Sequence, residues 1–129
     1  MVGIVIVSHS EKAAEGIMEV ATEMGGDARI EAVGGTEDGR IGTSPEPISR
    51  AIADAADGNG VVVLVDLGSA VMNAEIAIEE AELEEEVVLA DAPVMEGALN
   101  AVVAAGAPNA TVESVRMAAE DAQRVKKFG

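Results

Sequence analysis

The only histidine of the chain, His9, lies in Val7-Ser8-His9-Ser10, between the apolar run Gly3 to Val7 and Glu11-Lys12-Ala13-Ala14-Glu15. The β-branched run reads as a strand buried on both faces, and the stretch after it has helical spacing. His9 therefore falls where a strand hands over to a helix, the edge of an open α/β sheet at which ligands and chemistry collect. Helix amides and the positive end of the helix dipole favour an anion there. A second strand end supplies a carboxylate. Val61 to Val65 is apolar, and Asp66-Leu67-Gly68-Ser69-Ala70 follows before another helical stretch. Asp66 takes the position that Ser8 or His9 takes after the first run, and parallel neighbouring strands would bring the two ends together. A carboxylate that accepts from one imidazole nitrogen fixes the tautomer and leaves the other nitrogen as a nucleophile. Gly68 lets backbone approach a ligand, and the amides around Ser69 form a helix N-terminus suited to phosphate.

Each residue also has a plain structural reading. Ser8 followed by Glu11 matches a capping box, and Ser69 or Asp66 alone would serve as an N-cap. The pairing of two strand ends is what points to nucleophilic chemistry.

The elements that must position these groups follow in order. Glu11 to Met24 carries Ala14, Ile17, Met18, Ala21 and Met24 at helical spacing, and Gly25-Gly26 closes it. Arg29 to Val33 is a second strand. The glycine-rich stretch from Gly34 to Thr43 is too long for a minimal βα connection, and long loops at this edge often carry function. It contains no Gly-Lys-Ser/Thr, which argues against ATP binding of the Walker kind. Thr43 with Glu46 matches a capping box, and with Ser44 as the cap both Pro45 and Pro47 fall in the first turn of a helix to about Ala56. After the third strand a helix runs to about Glu84, and Glu84-Glu85-Glu86 reads as a solvated charge run. Val87 to Ala90 is the fourth strand. A helix starts at Asp91-Ala92-Pro93 and runs to Ala105, with Met95 and Leu99 as core residues. Thr111 caps the last helix, with Lys126-Lys127 at its C-terminal end. The order βαβαβαβαα predicts α/β class, a single doubly wound domain over residues 1–129, and a mainly parallel four-stranded sheet flanked by helices.

Composition narrows the function classes. The 129 residues carry 24 acids against 8 Lys plus Arg, a formal charge of −16, which argues against nucleic-acid or anionic-membrane partners. An apolar fraction of 49% sets the chain apart from disordered acidic segments. With no cysteine there is no disulfide framework or thiolate metal site, and we expect no metal and no cofactor. No apolar run has spanning length and no export signal opens the chain, so a cytoplasmic protein without membrane insertion is expected. The acid-rich, lysine-poor composition resembles that of proteins from salt-loving microbes.

Four short motifs in order resemble a known family: Ile-Val-Ser-His-Ser at 6–10, Ile-Gly-Thr at 41–43, Val-Asp-Leu-Gly-Ser-Ala at 65–70 and Ala-Pro-Val-Met-Glu-Gly at 92–97. The chain resembles the mannose-type enzyme IIA domains of the bacterial phosphotransferase system, and within them subunit M of phosphotransferase-dependent dihydroxyacetone kinase. The resemblance implies a phosphohistidine relay. A histidine-containing phosphocarrier protein would phosphorylate His9, and His9 would pass the group to ADP bound by the kinase's L subunit, supporting dihydroxyacetone phosphorylation on subunit K. It implies His9 as nucleophile, Asp66 as its orienting partner, and Ser10, Thr43, Gly68 and Ser69 around the phosphate. It also implies a homodimer and, since many subunit M chains append carrier and enzyme I-like domains, a separate donor protein here. Alternatives stay open: an enzyme IIA component of a mannose-type sugar transporter, a non-catalytic flavodoxin-like binding module, a Ser-His-Asp hydrolase using Ser8 or Ser69, and a receiver-like domain phosphorylated on Asp66.

Overall fold

A computed structural model describes residues 1–25 and 27–129. Four strands, β1 (Gly3–Ser8), β2 (Arg29–Gly34), β3 (Val61–Val65) and β4 (Val87–Leu89), form one sheet in the order β2-β1-β3-β4, all parallel. Among the described residues, five helices connect and flank them: α1 (Glu11–Met24), α2 (Pro45–Ala55), α3 (Ala70–Ala81), α4 (Val94–Ala105) and α5 (Val112–Asp121), with a 3-10 turn at Ala122–Arg124. The doubly wound α/β expectation holds.

Period-2 alternation in the two central strands sorts the core into two layers. Val2, Ile4 and Ile6 of the first strand region, with Val62 and Leu64, pack with Ala14, Ile17, Ala98, Val102 and Val115 from α1, α4 and α5. Val5 and Val7, with Val61 and Val63, pack on the opposite face with Ile48, Ile52, Ala70 and Ala74 from α2 and α3. All six residues of β1 are buried, which is why its sequence is apolar from Gly3 to Val7 and does not alternate, with Ser8 as its one polar residue.

Several local readings are corrected. The cap of α1 is Ser10, whose hydroxyl accepts from Ala13 N at 3.2 Å, and not Ser8, whose hydroxyl is drawn to Asp66. Ser44 does hold the N-cap position of α2 with Pro45 at its start, but Thr43 makes no capping box with Glu46. The Thr43 hydroxyl meets Asn73 instead, and Glu46 pairs with Arg50 one turn on at 2.9 Å. The third helix stops at Ala81, where Glu82 turns left-handed (φ 48°). The fourth strand ends at Leu89, and α4 begins only at Val94, because Pro93 sits at its N-cap. Met95 is 41% exposed and not core, whereas Leu99 packs against the core as expected. Glu85 is more than a solvated charge: its carboxylate accepts from the amides of Gly58 (3.0 Å) and Gly60 (2.9 Å), tying the turn before β3. Thr111 caps α5 in a reciprocal box with Ser114. Helical structure ends at Arg124, so Lys126 and Lys127 lie beyond it, and Lys127 points to Glu96 at 3.6 Å. The expected closing pair of α1 is half visible: Gly25 is its C-cap, while Gly26 lies outside the described residues.

Candidate functional site

β1 and β3 are paired in register from Gly3↔Val61 to Val7↔Val65, so the next residues of each strand leave the sheet side by side. The pairing extends one step further, since Asp66 N donates to Val7 O at 3.1 Å. The Asp66 carboxylate then reaches back across the strand end. Its Oδ2 accepts from the Ser8 hydroxyl at 2.8 Å and from His9 N at 3.0 Å. Its Oδ1 accepts from Leu67 N at 2.8 Å and lies 3.0 Å from His9 Nδ1. Burial pushes the Asp66 carboxyl up, but the hydrogen bonds from the His9 amide, the His9 ring and the Ser8 hydroxyl outweigh it and hold the group below the usual carboxylate range. An ionised carboxylate only accepts, so His9 Nδ1 carries a proton, and in the neutral ring Nε2 keeps its lone pair.

That lone pair faces Ser69, whose hydroxyl lies 2.9 Å from Nε2 and donates to it. Ser69 stands at the N-cap of α3 but makes no side-chain cap bond, so its hydroxyl serves the imidazole and not the helix. The amides of Ala70 and Val71 are engaged by the Leu67 and Gly68 carbonyls at 3.0 and 3.1 Å. Among the described residues, the Gly68 and Ser69 amides donate to no protein acceptor. A Cβ built on Gly68 would meet no protein atom, so there is open space beside that backbone.

The loop after β2 closes the other side. Gly42 adopts φ 143°, which glycine tolerates, and its amide donates to His9 O at 2.9 Å. Gly34 ends β2 so close to α1 that a Cβ there would sit 2.6 Å from Ser10 O. A cavity of about 380 Å³ opens between this loop and the start of α1, lined by His9, Ser10, Lys12, Gly35, Arg40 and Ile41 among others. Thr43 lies one residue beyond Gly42, and its Oγ1 accepts from Asn73 Nδ2 at 2.7 Å.

Of the six residues expected at the site, His9, Asp66 and Ser69 form one hydrogen-bonded series. Gly68 adjoins it. Ser10 is adjacent, and its hydroxyl oxygen accepts from Ala13 N in the α1 cap. Thr43 is joined to the group through Gly42 and α3. Sequence reading missed two members. Ser8 was visible as a polar residue closing an apolar strand; Asn73, an amide inside a helix, gave no such signal.

Chemically, the series Ser69–His9–Asp66 also has the connectivity of a serine-nucleophile triad. An acyl-transfer site needs amides aimed at the oxyanion, typically including the one after the nucleophile, and Ala70 N is already bound to Leu67 O. What remains is an imidazole with Nδ1 held by Asp66 and Nε2 touched only by the Ser69 hydroxyl, beside unengaged amides. No group of three His, Cys, Asp or Glu side chains among the described residues is placed to hold a metal ion. Among the described residues, no helix is long and apolar enough to cross a membrane.

The chain is similar to proteins of the phosphotransferase system. The family model of the PTS system fructose IIA component matches residues 3–120. A Listeria innocua protein, PEP-dependent dihydroxyacetone kinase 2, phosphoryl donor subunit DhaM, is 43% identical over 106 residues, covering 80% of this chain and 85% of its own. The corresponding Escherichia coli DhaM is 38% identical over 98% of this chain, which spans only 28% of that longer protein. The crystal structure of EF1359, a protein of unknown function, superposes with a TM-score of 0.82 at 32% identity over the whole of both chains. With its fold, its strand-end histidine and these relatives taken together, the chain belongs to the mannose-type enzyme IIA family, that of the PTS system fructose IIA component.

Proposed function

We propose that this protein is the phosphoryl donor subunit of a phosphotransferase-dependent dihydroxyacetone kinase, carrying the group on His9. One observation carries the reading. Asp66 holds His9 Nδ1–H, so Nε2 presents a lone pair at an exposed helix N-terminus. In the first step Nε2 attacks the phosphorus of a phosphohistidine on a histidine-containing phosphocarrier protein. The new N–P bond forms as the carrier's N–P bond breaks, and the carrier's nitrogen leaves with its electron pair. His9 is then cationic, and Asp66 offsets that charge through Nδ1–H. The Ser69 hydroxyl, displaced from Nε2, turns to donate to a phosphoryl oxygen, and the free Gly68 and Ser69 amides face the same anion. In the second step a terminal oxygen of ADP, bound to an L-type kinase subunit, attacks phosphorus and Nε2 departs with its pair. This gives ATP, which phosphorylates dihydroxyacetone. Asp66 stays ionised throughout and needs no proton transfer. The names of the relatives support the kinase as acceptor. The name of the matching family, a fructose IIA component, favours as second reading a sugar-transporter subunit taking the same group from the same nitrogen. A homodimer is part of the proposal and is checked by sedimentation.

The test uses intact mass after incubation with phosphorylated carrier at high salt, on the wild type and on His9→Ala. One phosphoryl group on the wild type and none on the variant is expected. Equal labelling of the two refutes the reading. Adding ADP, the K and L subunits and dihydroxyacetone should then discharge the label into dihydroxyacetone phosphate. A label that persists there but is discharged by a transporter component would favour the second reading.

A further inference from the structure

We infer that Asn73 is a positioning residue for the phosphorylated state, holding the Thr43 hydroxyl so that its proton points at the phosphoryl group on His9. The inference rests on the proposed phosphorylation of His9. Asn73 lies four residues after Ser69, the N-cap of α3, so the two side chains share a helix face one turn apart. Ser69 Oγ is 2.9 Å from His9 Nε2, and Asn73 Nδ2 is 2.7 Å from Thr43 Oγ1. The same amide nitrogen also donates to Thr43 O at 3.3 Å. Because Nδ2 is only a donor, Thr43 Oγ1 must accept, and its own proton is directed elsewhere. Gly42 N, bound to His9 O at 2.9 Å, fixes the adjacent backbone beside His9. Thr43 is thus pinned on both sides, by His9 through Gly42 and by α3 through Asn73. Both Thr43 and Asn73 are half-buried, so water competes poorly for these bonds. Helix α2 does not claim the Thr43 hydroxyl, because Ser44 occupies the N-cap position. The function of the Asn73–Thr43 bond is therefore to set the direction of a donor.

The experiment measures the equilibrium constant for phosphoryl exchange with the carrier, from the labelled fractions, in wild type, Thr43→Val, Asn73→Asp and the double variant. Asp in place of Asn accepts where Asn donates, so the Thr43 proton turns towards it and away from the phosphoryl group. A hydrogen bond to a charged group shifts such a constant by about 10-fold or more. Thr43→Val and Asn73→Asp should each lower it by about that factor, the double variant should fall no further than Thr43→Val, and Thr43→Ser should recover the wild-type value within about twofold. If Asn73→Asp melts, Asn73→Ala replaces it, with a loss of about threefold that vanishes in the Thr43→Val background. Wild-type constants in the single variants overturn the inference. Full additivity in the double variant also overturns it, since Asn73 would then act by charge or by loop packing. An unlabelled wild type would instead refute the phosphorylation of His9 itself, and the inference with it.

Discussion

Replacing Asp66 by Asn keeps the shape of the side chain and removes both its charge and its symmetry as an acceptor. The carboxylate receives four hydrogen bonds, two on each oxygen: Ser8 Oγ and His9 N on Oδ2, His9 Nδ1 and Leu67 N on Oδ1. An amide can satisfy one pair only. With its NH₂ on the Oδ2 side it faces the His9 amide, a donor that cannot turn. With its NH₂ on the Oδ1 side it faces Leu67 N and His9 Nδ1, and the imidazole can answer only by moving its proton to Nε2, which removes the attacking lone pair. Either way the charge that would offset a cationic phosphoimidazole is gone. A hydrogen bond to a charged group is worth about 1.5–3 kcal/mol, or about 10- to 150-fold. A wrong tautomer raises the cost, so phosphorylation by the carrier should slow about 10²–10⁴-fold. Rapid-quench labelling gives the rate, circular dichroism checks the fold, and ¹⁵N chemical shifts of the His9 ring report the tautomer. Stability should respond to pH in a fixed sense. The Asp66 carboxyl is depressed in the folded state, so its contribution is complete above its unfolded value of about 3.9 and is lost as pH falls through the depressed one. The wild type's stability advantage over Asp66→Asn should shrink accordingly in acid. A folded Asp66→Asn phosphorylated at the wild-type rate would refute the pairing of the two strand ends as the source of nucleophilicity.

Two further outcomes concern the surface. With a formal charge of −16, the folded state repels itself most when the Debye length is about 30 Å, at 0.01 M salt, and least when it is about 3 Å, at 1 M; the melting midpoint should rise between these conditions, and an unchanged midpoint would clear the acidic surface of any stability cost. Glu37 is exposed on the loop beside the His9 cavity, whereas Asp38 is committed to Thr36 and Arg40 within that loop. Glu37→Gln should therefore lower the second-order rate with a basic-faced carrier by about 1.5- to 5-fold at low salt and leave the saturated rate alone, and a fall in the saturated rate would place Glu37 inside the reaction.

The legible parts of this chain were those decided by local pattern. β1 and β3 are buried on both faces and read as unbroken apolar runs, and the residues just beyond them, His9 and Asp66, were placed together by parallel adjacency alone. The misread parts are those where a side chain has a local and a distant option. Ser8, Thr43 and Ser69 all stand at helix starts, where a capping bond is the nearest choice, yet their hydroxyls go to Asp66, Asn73 and His9, between 30 and 60 residues away in sequence. A capping box is a statement about neighbours and carries no information about a competing partner across a sheet edge. Element ends slipped for a related reason: β4 is a three-residue edge strand, and its length is set by pairing with β3, not by its own composition.

His9 is held at four polar atoms by different parts of the chain: its amide and Nδ1 by Asp66, its carbonyl by Gly42, and Nε2 by Ser69. A phosphoryl group on Nε2 replaces one of these bonds and leaves the other three. Charged and uncharged forms of the protein should therefore share one backbone, and no rearrangement is available to announce which form a partner has met. The partner must tell them apart by the anion itself, a dianionic group on a cationic ring and so a net further charge of about −1, on a surface already strongly acidic. Under the proposed relay, a basic docking face would be drawn more strongly to the loaded form and an acidic one held off, so the anion would sort partners by the sign of their docking surface. That discrimination would weaken as salt shortens the distance over which the charge is felt.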